Sequence, residues 1–194
     1  EDGTVENAGY SAFLTAIEPY RFDVLIYDGS DATTLTAMSG FVKRMCEDNG
    51  RYCQLVASFT TGPDSRYCID VQSGAVLGDG TKLTKQQMCW WVGGAEAGAK
   101  ANESLTYASH PDATAPDPVL TNAQVIQALS EGKLVLTSDY DTIHIEQDIN
   151  ALTTYTPEIG RVYRKNRVIR LCNSIANDIY SQFSQNYLGV INNN

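Results

Sequence analysis

Positive charge is scarce in this chain. Its 194 residues carry 14 Lys and Arg against 23 Asp and Glu, a formal net charge of -9. That balance argues against a diffuse basic face for nucleic acid or an anionic membrane and fits partners that are proteins. Long apolar runs are missing as well, and none reaches the ~18–20 residues of a membrane span. The opening EDGTVENAGY has neither a basic start nor an apolar stretch, so no signal peptide is expected there. Histidine is limited to His110 and His144, which leaves little material for a nucleophile–base pair. The five cysteines, Cys46, Cys53, Cys68, Cys89 and Cys172, contain no CxxC pair. Cys53 and Cys68 fall in strand-like stretches and the others in helix-like ones. Buried free thiols of a reducing compartment are expected, ahead of zinc or a disulfide.

What is present is ordinary globular material. Apolar residues make up 43% and charged residues 19%, enough for one domain, or one domain and part of another. AGYSAFLTAIE (8–18) spaces Tyr10, Phe13, Leu14 and Ile17 as a helix, limited by Pro19. FDVLIYD (22–28) is the near-continuous apolar run of a strand covered on both faces. A helix follows over 31–47, with Asp31 or Thr33 as N-cap, a stripe of Leu35, Met38, Phe41, Val42 and Met45, and Gly50 closing it. YCQLVAS (52–58) completes a βαβ unit, which predicts parallel strands.

YCIDVQ (67–72) reads as a third strand, SGAVLGDGTKL (73–83) as a turn or short hairpin, and 85–101 as a helix capped by Thr84. ASHPDATAPDPV (108–119) holds three of the six prolines and reads as a loop. TNAQVIQALSEG (121–132) is a helix capped by Thr121 or Asn122 and stopped by Gly132. KLVLTS (133–138) is a strand. DTIHIEQDI (141–149) alternates as a one-sided strand, with Ile143, Ile145 and Ile149 inward. Near TPEIG (156–160) the composition shifts. RVYRKNRVIR (161–170) carries five basic residues, Arg161, Arg164, Lys165, Arg167 and Arg170. It leads into a helix with Val168, Ile169, Cys172, Ile175, Ile179 and Phe183 on one stripe. Alternating strands and helices predict an α/β fold, a mostly parallel sheet with helices on both faces.

The chemical motifs are weak. DGSD (28–31) follows the first strand, where doubly wound sheets place ligand groups. It lacks the second serine of a DxSxS metal site, where Ala32 stands, and the DxD of a phosphotransfer site, so a helix cap is the favoured reading. LGDGTK (77–82) does not fit the phosphate-loop spacing. AMSGF (37–41) has Ala37 where a nucleophile elbow needs glycine. His144 and Glu146 share a strand face but lack a third metal ligand, and a solvated face is expected. Asn102–Glu103–Ser104 matches a glycosylation acceptor by accident of composition. No catalytic, cofactor-binding or metal residue is assigned.

The segment MCWWVGGAEAGAKANESLTY (88–107) poses the sharpest question. Trp90 and Trp91 point to different faces of a helix whose stripe is Met88, Trp91, Val92, Ala95 and Ala99. Gly93, Gly94 and Gly98 each cost about 1 kcal/mol against alanine, so close backbone approach is expected. A cofactor pocket would need convergent polar groups, and none stand nearby.

That segment resembles the W-x-x-G-x-x-A-G signature, followed by an asparagine-serine-leucine-threonine run, of contractile phage tail sheath proteins. FDVLIYDGSD…VKRMCEDNGRYCQLV, GKLVLTSDYDTIHIEQDINALTTYTPE, RKNRVIRLCNSIANDI and LGVINN resemble further segments of that family, in the same order. The resemblance covers most of the chain. It implies a subtilisin-like α/β core without protease activity at 1–156, with Trp90, Trp91, Gly94 and Gly98 as a packing signature. It implies that 157–194 open an incomplete α+β C-terminal module. Such subunits polymerise as a helical sleeve that shortens to drive an inner tube through a host envelope, in phage tails and R-type bacteriocins. The implied partners are other sheath subunits, the tube protein, the baseplate and the tail terminator, with no nucleic acid and no membrane. The implied location is a virion tail or bacteriocin-like particle, assembled in the bacterial cytoplasm. The resemblance implies that the family's long N-terminal part is missing from this sequence and that the joining arms are missing or incomplete. The five basic residues of 161–170 are then candidate contacts to acidic surface on the tube or a neighbouring subunit. Two other readings compete: a small-molecule binding module around Trp90 or Trp91, and a hydrolase assembling Asp28, His144 and a serine.

Overall fold

The apolar run at 22–28 becomes β1 (Val24–Tyr27), with Leu25 and Tyr27 buried on one face. These and the features below come from a computed structural model, which describes residues 7–139 and 142–187. β1 pairs in parallel with β2 (Gln54–Ala57), β2 with β3 (Cys68–Val71), and β3 with β7 (Lys133–Leu134). The four-stranded sheet therefore has the order β1-β2-β3-β7. Every residue of β2 and β3 is buried, as central strands covered on both sides must be.

One face is covered by α2 (Ala32–Glu47) and α1 (Asn7–Ile17). The expected α2 stripe, Leu35, Met38, Phe41, Val42 and Met45, is wholly buried against Leu25, Leu55 and Ala57. Burial of each such side chain is worth about 1.5–3 kcal/mol, far more than any helix propensity. Asp31 is the N-cap, its carboxylate accepting from Thr34 N at 2.7 Å. Gly50 takes a φ of +60° where the chain turns back toward β2, a conformation glycine adopts without strain. From α1, Leu14 enters the same core, while the ring of Tyr10 meets that of Tyr27 edge-on, 5.3 Å away.

The opposite face is covered by α3 (Lys85–Gly98), which buries Met88, Cys89, Val92, Gly93 and Glu96. Thr84 and Gln87 form a capping box at its start. Helices thus lie on both faces of a parallel sheet, the α/β arrangement expected from the alternation.

Three segments differ from the sequence-based expectation. The proline-rich loop contains β6 (Ala113–Asp117), which joins β4 (Gly74–Leu77) and β5 (Lys82–Leu83) in an antiparallel sheet ordered β5-β4-β6. Pro116 is tolerated because β6 is an outer strand there and needs fewer donors. The stretch 133–138 is not one strand. It leaves the parallel sheet after β7, turns at Val135, and re-forms as β8 (Leu136–Asp139) against β9 (Thr142–Ile145). Ser73 Oγ accepts from Leu136 N at 3.0 Å and Val135 O from Glu146 N at 3.1 Å, so the crossing leaves neither group unpaired. Ahead of β7, α4 (Asn122–Ser130) is capped at its start by Thr121 and Gln124, and Gly132, with a φ of +78°, turns the chain into β7.

The third difference is at the end of the chain. A short 3-10 turn (Arg161–Arg164) leads into α5 (Asn166–Asn186). Of its expected stripe only Ile169 is buried; Ile175, Ile179 and Phe183 are exposed, joined by Leu171, Tyr180 and Tyr187. Cys172 is exposed with them, whereas Cys46, Cys53, Cys68 and Cys89 are buried free thiols. The periodicity found the helix, but its apolar face has no cover among the described residues. The LGVINN segment (188–193) lies outside those residues.

Candidate interaction site

α5 is tied to the α/β core by a buried polar cluster at its first turns. Arg170 places Nη1 on Glu96 Oε2 and Nη2 3.1 Å from Asp148 Oδ2, and its side chain is only 11% exposed. Its Nη2 also donates to Glu103 O at 2.5 Å. Asn166, fully buried, donates through Nδ2 to Glu96 Oε1 at 3.0 Å and to Asp148 Oδ1 at 2.8 Å, and accepts from Gln54 Nε2 at 3.3 Å. Leu105 N adds a bond to Asp148 Oδ2 at 3.0 Å. Both carboxylates are thus faced by a guanidinium and an amide, which is what buried charges require. The cluster joins β2, α3, the segment before the 3-10 turn, and α5.

Beyond it the helix lifts away. Arg21 donates to Asn177 Oδ1 at 3.2 Å and lies 5.0 Å from the Tyr180 ring centroid. A groove of about 530 Å³ separates this half of α5 from Tyr20, Phe22 and Tyr52.

The five basic residues of 161–170 have different fates. Arg161, Lys165 and Arg167 are exposed. Arg164 is half-buried, and its Nε and Nη2 are buried without a hydrogen-bond partner. Arg170 is turned inward into the cluster and is not available as a surface charge. Sequence reasoning took it for one of a basic series and missed Glu96, Asp148, Asn166 and Gln54. A signal existed in Glu96, a lone carboxylate on the apolar side of a glycine–alanine helix.

The tryptophan helix also resolves differently from expectation. The close approach is at Gly93, where a Cβ would stand 2.5 Å from Ile26 Cγ1, while Gly94 and Gly98 face open space. Trp90 is 56% exposed and donates Nε1 to Asp28 Oδ2 at 2.9 Å; Trp91 leans on His110 with ring centroids 5.1 Å apart. Asp28 is therefore held by Trp90. His144 is not on a solvated face. It is 4% exposed, stacked under Tyr107 at 4.0 Å, with Nε2 3.1 Å from Thr137 Oγ1. Thr137 Oγ1 in turn donates to Glu146 Oε2 at 2.7 Å. Among the described residues no side-chain hydrogen bond joins His144 to a serine or an aspartate.

The C-terminal ends of the parallel strands, where α/β sheets place ligands, hold Asp70. Its Oδ1 accepts from Phe59 N at 2.9 Å and Gln72 Nε2 at 2.6 Å, Oδ2 has no partner, and burial pushes the carboxyl above its ordinary range. Among the described residues, no group of three or more His, Cys, Asp or Glu side chains is placed to hold a metal.

With this geometry in hand, comparison with known proteins gives a consistent result. The family model described as the phage tail sheath protein central domain matches residues 3–151. The crystal structure of a sheath tail protein from Desulfitobacterium hafniense superposes with a TM-score of 0.94 at 39% identity, covering 98% of this chain and 46% of that one. Protein YqbK of Bacillus subtilis strain 168 is 36% identical over 184 residues, 93% of this chain and 39% of its own length. The helical sheath of the anti-feeding prophage in its contracted state shares the fold, with a TM-score of 0.72 at 14% identity, covering 100% of this chain and 56% of that one. The chain spans less than half the length of the first two.

Proposed function

The chain belongs to the phage tail sheath family, and from that membership we propose that it serves as a structural subunit of a contractile sheath. In this reading residues 1–156 are the central domain and 157–194 open the C-terminal module. Subunits polymerise as a helical sleeve around an inner tube and shorten to drive that tube through a host envelope. Other sheath subunits, the tube protein, the baseplate and the tail terminator are the partners. The particle is assembled in the bacterial cytoplasm. The role is mechanical rather than enzymatic, and Asp28 and His144 serve packing.

The observation that carries the reading beyond family membership is α5. It is a 21-residue helix with one end locked into the core by Arg170 and Asn166 and the other presenting bare apolar side chains. Exposed apolar patches of this kind mark contact surfaces. We assign the cover to the remainder of the C-terminal module. The exposed charges Arg161, Lys165 and Arg167, with Arg164 beside them, then face acidic surface on the tube or a neighbouring subunit.

The test is negative-stain electron microscopy of the full-length protein expressed alone, beside a variant carrying Arg161→Glu, Lys165→Glu and Arg167→Glu. Wild type should form hollow striated sleeves. The variant should form fewer, with the deficit largest at low salt, where exposed charges act over the longest range. Equal sleeve formation by both proteins across the salt series would remove the basic stretch from the contact. Dispersed monomers from the wild type at high concentration would count against the sheath reading itself.

A further inference from the structure

The α2–β2 junction brings two cysteines into contact across a short turn. Cys46 lies in the last turn of α2 and Cys53 immediately ahead of β2, and both are buried. Cys46 Sγ donates to Cys53 O at 3.3 Å and accepts from Cys53 N at 3.4 Å. The sulfur of Cys46 therefore rests against the backbone on both sides of the Cys53 Cα. A disulfide needs Cβ atoms about 3.5–4.5 Å apart and sulfurs about 2.05 Å apart. Cys46 Sγ already rests within 3.4 Å of the Cys53 backbone, so the Cys53 side chain leaves the chain beside it and closure is made through rotation of the two side chains and the turn between them.

We propose that Cys46 and Cys53 are a peroxide-responsive thiol pair that closes to a disulfide in the folded protein. The Cys46 thiol reacts with a molecule of hydrogen peroxide, giving Cys46 sulfenic acid and water. The Cys53 sulfur then attacks the Cys46 sulfur, forming the S–S bond and releasing a second water. In sum, two thiols and one peroxide become one disulfide and two waters, and two electrons pass from the sulfur pair to the peroxide.

The roles within the pair follow from their surroundings. The neighbouring Cys53 thiol holds Cys46 below the ordinary thiol range, helped by the Cys53 N–H and the charge of Arg66. The Cys46 sulfur beside it, with burial, pushes Cys53 up. Cys46 is thus the attacking sulfur and Cys53 the resolving one, since thiolate character decides which sulfur is oxidised first. The other buried thiols lack this arrangement. Cys68 Sγ lies 3.3 Å from Ser39 Oγ, and burial pushes it up to about 11. Cys89 sits on α3 across the sheet, pushed by burial up to about 12. Access is through the turn between the pair, where Glu47, Asp48, Asn49 and Gly50 are exposed. Local opening of such a turn admits a molecule as small as peroxide. The bond would pin the end of α2 to the start of β2, stiffening the α/β unit once it leaves reducing surroundings.

Tryptic cleavage makes the test direct, because it places Cys46 in peptide 45–51, Cys53 in 52–66 and Cys68 in 67–82. The folded chain carrying Cys172→Ala is exposed to hydrogen peroxide, digested without reductant and mapped by mass spectrometry. The expected result is loss of the Cys46 and Cys53 thiols with Cys68 and Cys89 kept. Peptides 45–51 and 52–66 should be linked, and the unfolding temperature should rise, reverting with dithiothreitol. In the further variant Cys53→Ser, Cys46 should instead accumulate as sulfenic or sulfinic acid. If that variant misfolds, the peptide map of the Cys172→Ala chain decides alone. Three results would overturn the proposal: unlinked sulfinic acid at Cys46 with Cys53 present, linkage of 45–51 to 67–82, or free Cys46 and Cys53 in the folded chain under peroxide that oxidises them in urea.

Discussion

Replacing Arg170 by Met tests whether the buried cluster is what holds α5 to the core. The guanidinium faces Glu96 and Asp148, whose side chains are 1% and 0% exposed. Met fills most of the arginine's stem volume, so the change removes charge and donors and little packing. With α5 still docked, two carboxylates would be left facing each other across Asn166. Removing one partner of a buried ion pair costs about 3–5 kcal/mol. The helix has a cheaper way out, because undocking admits water to both acids, and the apolar face of α5 contributes little to docking beyond Ile169. The measurable cost to global unfolding is therefore smaller, about 1–3 kcal/mol, and the rest appears as local opening. Hydrogen exchange followed by mass spectrometry should show residues 166–173 losing protection by orders of magnitude, while β2 and β3 keep theirs. Urea melts read by Trp90 and Trp91 should shift modestly. Adding Glu96→Gln to Arg170→Met should recover part of the loss, since the pair interacts directly. Unchanged exchange along α5, with an unchanged melt, would refute the reasoning and return the anchoring role to Ile169 and Arg21.

Two further predictions come from the core. Gly93→Ala sets a methyl 2.5 Å and 2.6 Å from Ile26 Cγ1 and Cδ1, so it should destabilise by about 1–3 kcal/mol. Gly94→Ala meets nothing within 4 Å and should stabilise by about 0.5–1 kcal/mol; thermal melts showing the same sign for both would contradict the packing of α3 on β1. Burial raises the Asp70 carboxyl, so the folded chain holds that proton over a range where the unfolded chain has lost it. Stability from this group is present below the ordinary carboxylate pKa and lost as pH rises through the raised value. Asp70→Asn should remove that decline and raise the melting temperature at pH 7 by a few degrees, about 1 kcal/mol. A lower melting temperature at pH 7, or an unaltered pH slope, would show that the charged form is preferred at this site.

The parts of the fold that could be read from the chain are those in which one local signal decides the outcome. Asp31, Thr84 and Thr121 cap their helices because a short side-chain oxygen ahead of an apolar period has one good use. The stripe from Leu35 to Met45 is buried because a helix with one apolar face beside an all-apolar strand has one partner available. The errors fall where two elements compete for a segment. Residues 133–138 carry a single strand pattern, but the parallel sheet and the β8–β9 pair both claim it, and only Ser73, 63 positions from Leu136, shows where it divides. Pro116 reads as a loop until β4 supplies an outer position that spares the missing donor. His144 alternates as a surface residue would, and what covers it is Tyr107, which no period in that strand could indicate.

At the candidate site the failure has a physical cause that also shapes the functional reading. Five basic residues in ten look alike in sequence, yet their value depends on which of them meets an acid. Arg170 is assigned to the interior by Glu96 and Asp148, which lie 74 and 22 positions away. Arg161, Lys165 and Arg167 form no ion pair among the described residues and stay exposed, although the charge of Arg167 is felt at Asp148. The same division runs along α5. Its period identifies an apolar face correctly, and among the described residues that face remains uncovered because Ile169 alone of its stripe is buried. From Leu171 to Tyr187 the helix carries a single charged residue, Asp178, so it cannot be accounted for as a solvated helix. Such a helix, pinned at its start by buried charge and touched farther along by Arg21, presents an apolar face of the kind that marks a contact surface. That feature follows from hydrophobicity and electrostatics alone, and it is what a subunit joined to others through its C-terminal module would need.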